Sequence, residues 1–186
     1  MKHTKLIAGI AGLSLTAAVT GVAVAAKGDP PPETAVVKQK FSLKMKPNRY
    51  IQDNMRFNRD VYTVKSGGTV KLVLNKPQEG PHTLSTVKQK DLPKTADEAF
   101  ENCKACEALG EAHGADPNSE GPPKFQYVEN GTGQNEPANL DRAGDSGITG
   151  PEKGDTVTFK VTAEAGKTLH FMCIIHPWMQ AKLKVK

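Results

Sequence analysis

The chain has 186 residues, 37% apolar and 24% charged, which is room for one modest core and too little for several large domains. Its formal charge of +5 is spread over interspersed signs with only 5% aromatic residues, so it carries no basic, ring-interleaved face of the kind that binds nucleic acid. Thirteen prolines and seventeen glycines predict many turns and argue against a helical bundle.

Residues 1–26 read as a secretory signal peptide. Lys2 and Lys5 form a positive start, the run from Leu6 to Ala26 has no charge, and it ends in small residues at Ala23, Ala25 and Ala26. An uncleaved anchor helix is the alternative, because the run is long enough to cross much of a bilayer. Cleavage removes Lys2 and Lys5 with no acid and leaves a net charge of +3. No later stretch could span a membrane. The mature chain is therefore expected in the periplasm or outside the cell, without stable membrane insertion. A proline-rich linker, KGDPPPET, occupies residues 27–34, and residues 35–186 form the domain.

Residues 35–46, AVVKQKFSLKMK, alternate loosely and predict an edge strand. VYTVKSGGTVKLVLNK then reads as strand, turn at Gly67-Gly68 and strand, with Val70, Leu72 and Leu74 on one face. Residues 88–150 look like an insertion. Thr95 and Glu98 are spaced as a capping box before a helix expected over 96–112, which Gly114 stops. The remainder, rich in Gly, Pro, Asn and Asp, predicts a long irregular loop. Strand grammar returns in PEKGDTVTFKVTAEAGKTLHFMC. Val157, Phe159 and Val161 share one face, and Leu169, Phe171 and Cys173 share another. MQAKLKVK closes the chain as a last alternating strand.

Export would place the cysteines in an oxidising compartment. Cys103 and Cys106 are close enough in sequence to pair, which leaves Cys173 free. A free thiol there needs a reason to persist, and metal coordination supplies one. The run HFMCIIHPWM sets Cys173, His176 and Met179 three residues apart, with Pro177 stiffening the turn. A second histidine must come from elsewhere. His170 lies on the opposite strand face from Cys173, and His113 sits at the end of the predicted helix. His82, just after a core strand in EGPHTLST, is placed to meet the turn. Two imidazoles, a thiolate and a weak axial thioether suit copper that alternates between Cu(I) and Cu(II).

These segments resemble the cupredoxins, the small blue-copper fold of plastocyanins and azurins, and the ligand turn is similar to that of amicyanin in its short spacing. The motifs that carry the resemblance are YTVKSGGTVKLVLN, PHTLS, EKGDTVTFKV and HFMCIIHPWMQAKLKV, within about residues 56–88 and 150–186. The resemblance implies an all-β Greek-key sandwich with one type 1 copper ion at one end, bound by His82, Cys173 and His176 with Met179 axial. It implies an electron carrier rather than an enzyme, probed by redox partner proteins that dock near His176, Pro177 and Trp178, and working as a monomer. A copper-dependent redox enzyme or a copper carrier on the same fold are the competing readings. Two departures stand out. Thr83 follows the first histidine where the family usually has Asn, which implies a weaker brace on the cysteine turn. The insertion at 88–150 is absent from typical small members, and it is expected to cover the metal end or dock a partner.

Overall fold

The computed structural model describes residues 30–75, 80–116, 118–119 and 121–186, so the proposed signal peptide lies outside the described residues. In chain order the strands are β1 (Thr34–Lys40), β2 (Leu43–Lys46), β3 (Tyr50–Asp53), β4 (Arg56–Phe57), β5 (Val61–Val64), β6 (Thr69–Val73) and β7 (Thr83–Val87). Two helices follow, α1 (Ala96–Phe100) and α2 (Lys104–Ala112). The remaining strands are β8 (Tyr127–Glu129), β9 (Thr132–Gln134), β10 (Asn139–Leu140), β11 (Ser146–Ile148), β12 (Thr156–Val161), β13 (Thr168–Met172) and β14 (Gln180–Val185).

They form a two-layer β-sandwich, as the sequence led us to expect. One sheet has the order β10-β12-β6-β1-β4 and the other β5-β14-β13-β7-β11-β8-β9, with β2 and β3 as a separate hairpin. The alternating strands decide which faces meet. Val70 and Leu72 of β6, Val157, Phe159 and Val161 of β12, Phe171 of β13 and Leu183 of β14 are buried together in one core. Phe171 anchors it, with its ring 5.1 Å from Phe57 and 5.9 Å from Tyr62. Burial of such side chains drives the packing of the two sheets.

Three local expectations change. Residues 35–46 are not one edge strand: β1 lies between β6 and β4, the chain breaks at Phe41-Ser42, and β2 pairs with β3 instead. The helix expected over 96–112 is two helices. Thr95 caps α1, its hydroxyl accepting from the Glu98 amide at 3.1 Å, but Glu101 and Asn102 both hydrogen-bond back to the Asp97 carbonyl and end it. The chain re-enters helix at Lys104, where Cys103 and Cys106 lie at disulfide distance with Cα atoms 5.2 Å apart. Gly114 stops α2 as expected, with a φ of 74° that only glycine adopts cheaply.

The third change is the largest. The stretch expected to be an irregular loop supplies four strands. β11 pairs with β7, β8 with β11 and β9 with β8, extending one sheet, while β10 pairs with β12 at the rim of the other. Gly and Asn in this region mark tight turns between short strands rather than absence of structure: Asn130 and Gly131, at φ 54° and 81°, turn β8 into β9. α2 lies over the outer face of the second sheet, where Leu109 joins Val87, Val128 and Met172 in a smaller buried cluster. This covering explains why β7 is buried at every position.

Candidate metal centre

β7 and β13 are antiparallel neighbours, with Met172 opposite Ser85. That register brings the start of β7, where His82 sits, beside the end of β13, where Cys173 sits. The backbone of His82 is clasped by Thr149: its amide donates to the Thr149 hydroxyl at 3.1 Å, and its carbonyl accepts from the Thr149 amide at 3.0 Å. The turn from Cys173 to Met179 is closed by its own backbone. The Cys173 amide donates to the Met179 carbonyl at 3.0 Å, and the Met179 amide donates to the His176 carbonyl at 2.8 Å.

One ligand atom from each of His82, Cys173 and His176 lies within 4.8 Å of the others. The Cys173 sulfur is 3.7 Å from His82 Nδ1 and 3.6 Å from His176 Nδ1. This spacing can be tested against an ion. Metal–sulfur and metal–nitrogen bonds of about 2.3 and 2.0 Å, at the angles of a tetrahedral or trigonal site, separate the two donors by about 3.6 Å. Both sulfur-to-nitrogen distances therefore match those of donors that share a single ion. Met179 is buried in the same core cluster as Cys173. His170 bonds into the sheet opposite Lys182 and Val87 and takes no part, and His113 is drawn into a separate set of hydrogen bonds.

The protonation states suit coordination. Burial pushes the His82 imidazole down to about 4, and the nearby His176 adds to that. Burial lowers His176 as well, partly offset by the carboxylate of Asp53. Both rings are neutral near pH 7 with a lone pair to offer. The Cys173 thiol is pushed up by burial, against the pull of hydrogen bonds that include the Thr83 amide at 3.3 Å. A bound cation reverses that burial cost, because it stabilises the thiolate directly. The donor set of two imidazole nitrogens, one thiolate and a neighbouring thioether suits one copper ion.

Thr83 does more than its length suggests. Its hydroxyl accepts from the Ile174 amide at 2.8 Å, so the position braces the cysteine turn from side chain and backbone together. Pro177 is buried and Trp178 half-buried, with the Trp178 ring edge-on to His176 at 5.5 Å. The insertion reaches this rim: Phe100, exposed for 70% of its surface, packs its tilted ring against Trp178 at 5.1 Å, and the Gln180 side-chain amide donates to the Pro93 carbonyl at 2.7 Å. His176 stays half-buried, so the insertion flanks the metal end without sealing it. Sequence reasoning missed Asp53 and Phe100, whose approach depends on pairings between distant segments.

Solved structures similar to this chain are cupredoxins. A purple cupredoxin from Nitrosopumilus maritimus aligns over 82% of this chain and 99% of its own, with 10% identity and a TM-score of 0.41. Auracyanin A from Chloroflexus aurantiacus, described as a blue copper protein, aligns over 83% and 99%, with 19% identity and a TM-score of 0.38. Amicyanin from Paracoccus versutus aligns over 85% and 86%, with 15% identity and a TM-score of 0.36. No family model and no curated protein matches the chain. The chemistry of the site rests on its own donor atoms.

Proposed function

We propose that this protein is an exported carrier of single electrons, built around one copper ion held by His82, Cys173 and His176 with Met179 as the axial ligand. The observation that carries this reading is the fit of the two Nδ1 atoms, 3.7 and 3.6 Å from the Cys173 sulfur, to a single ion. Copper, when bound, supplies the change between Cu(I) and Cu(II). The chain supplies the frame. Thr149 holds His82, Thr83 braces the turn and Pro177 stiffens it, so the donors stay in place whichever charge the ion carries. His176, ringed by Pro177 and Trp178, is the port at which a redox partner docks. Among the described residues no helix is long and apolar enough to cross a membrane. In this reading residues 1–26 are the signal peptide, 27–34 the linker and 35–186 the domain. The protein works as a monomer, is not an enzyme, and Cys103 and Cys106 form a disulfide in the oxidising compartment.

The test is addition of Cu(II) to the purified metal-free protein. An intense visible absorption should appear, saturating at one equivalent, with the narrow copper hyperfine splitting of a thiolate-bound site in the paramagnetic resonance spectrum. Cys173→Ser should abolish both. A wild-type protein that stays colourless, or a serine variant that keeps the colour, removes the proposal. Rapid loss of Cu(I) to a chelator, with the colour intact in the oxidised form, would favour the copper-carrier reading over the electron carrier.

A further inference from the structure

The brace on the cysteine turn does not end at Thr83. Thr83 and Ser85 alternate on β7 and share the face turned toward the insertion. Ser85 lies 2.9 Å from the Thr83 hydroxyl and 2.7 Å from the hydroxyl of Ser146, its cross-strand partner on β11. Ser146 in turn lies 2.8 Å from Nε2 of His113, and Nδ1 of His113 lies 2.7 Å from the Phe125 carbonyl. All four side chains are buried. A single file of hydrogen bonds therefore runs from the end of α2 to the residue that touches the cysteine sulfur.

Counting hydrogens along this file gives it a direction. The Phe125 carbonyl can only accept, so Nδ1 of His113 always carries a proton. In the structure the Ser85 hydroxyl donates to that of Thr83. Ser85 has one hydrogen, so Ser146 must donate to Ser85, and Ser146 must then accept from Nε2. Every contact is filled in this direction only when His113 carries both ring protons, and the Thr83 hydrogen is then free for the Cys173 sulfur beside it. With one ring proton, Nε2 accepts from Ser146, Ser146 accepts from Ser85, and the Thr83 hydrogen is drawn toward Ser85. Burial disfavours the charged ring, which opposes the filled file.

We propose that His113 is a remote positioning residue for the metal centre: acting through Ser146 and Ser85, it fixes which way the Thr83 hydroxyl donates, and so adds or removes one hydrogen bond at the Cys173 sulfur. Donors at a metal-bound thiolate draw charge from it and favour the reduced ion, so the doubly protonated state of His113 corresponds to the higher potential. The charged groups around His113 are Glu111 on its own helix, Lys124 against Gly114, and Asp145 beside Ser146. None bonds the ring, and the Asp145 carboxylate is occupied by the amides of Asn130, Asp141 and Arg142. The inference rests on reading Cys173 as the copper thiolate, but the file itself is a property of the metal-free chain.

Two measurements separate these. In the metal-free protein, ring-nitrogen shifts of His113 and the amide shift of Ile174 are followed by magnetic resonance as the pH is lowered. The Ile174 amide should show a component with the midpoint of His113, and Ser85→Ala should remove that component while His113 still titrates. In the copper-loaded protein, the reduction equilibrium should change about threefold across the same midpoint, and the change should vanish in Ser85→Ala and in Ser146→Ala alike. An Ile174 amide that ignores His113, a component that survives Ser85→Ala, or a ring that stays singly protonated down to acid unfolding overturns the relay. A protein that takes no copper but shows the Ile174 component keeps the relay and sinks the electron-carrier reading alone.

Discussion

Between β13 and β14 the chain turns around in residues 173–179 and places three candidate ligands on the way. Between β7 and β12 it uses residues 88–155 for two helices, four short strands and a buried cluster of its own. The first region is dense in chemistry and short in range: its residues lie next to one another in sequence, and one register, β7 on β13, completes the set. The second is the reverse, since β10, β11 and α2 gain their roles only by meeting something far away in sequence. The lesson is that the insertion is part of the sandwich and not an appendage. β11 is the cross-strand neighbour of β7, and Thr149 just beyond it clasps His82.

The sharpest way to break this comparison is to remove one buried side chain from each region. Phe171→Ala empties the space against Phe57 and Tyr62 and should cost about 3–5 kcal/mol of stability in denaturant unfolding, with loss of copper binding because Cys173 is two residues on. Leu109→Ala removes the apolar foot of α2 and should cost about 2–3 kcal/mol, near the lower end for such truncations because its cluster is small. Both losses should appear in one cooperative transition. If Leu109→Ala instead produces a separate early transition, the insertion folds as its own unit and the integrated picture is wrong.

Acid should act on the buried histidines. The folded-state value of His82, about 4, lies below the ordinary imidazole value of about 6.5. Between those values the unfolded chain binds the proton and the folded one does not, so the stability of the metal-free protein falls as the pH drops through that window. The full loss by pH 4 is on the order of 3 kcal/mol from this residue, and the lowering of His176 and His113 adds in the same direction. Unfolding midpoints of the metal-free protein at pH 7 and pH 4.5 measure it. His82→Gln, which cannot titrate, should flatten part of the dependence, and an unchanged slope would place the acid sensitivity elsewhere.

The contrast also explains what could be read in advance. Val157, Phe159 and Val161, or Leu169, Phe171 and Cys173, announce their strands because a face that must be buried imposes its period on the sequence. Cys173, His176 and Met179 stood out as candidate ligands because a metal needs particular atoms at particular spacing. The strands β8 to β11 were hidden because two- and three-residue strands are too short to show a period, and their Gly and Asn turns look like loop composition. The break between α1 and α2 was hidden by helix-forming residues on both sides of it. Thr83, Ser85 and Ser146 carried a signal that was there to be found: small hydroxyl residues alternating on one face of a strand that has no reason to face water.

The smallest effect sharpens the comparison most, because it separates folding from docking. Thr95 caps a five-residue helix at the surface, and Thr95→Ala should cost only about 1 kcal/mol. The helix it starts ends at Phe100, whose ring rests on Trp178 beside His176, the proposed port. Fraying α1 leaves the sandwich core and the three donors untouched, so the visible absorption of the copper-loaded protein should be unchanged. The contact surface around the port should loosen, and Trp178 fluorescence reports it directly through the loss of a stacked ring. If Thr95→Ala alters the copper spectrum while leaving Trp178 undisturbed, the insertion governs the metal through the ligand turn and not through its rim. The stacked pair of Phe100 and Trp178 would then be packing with no part in docking.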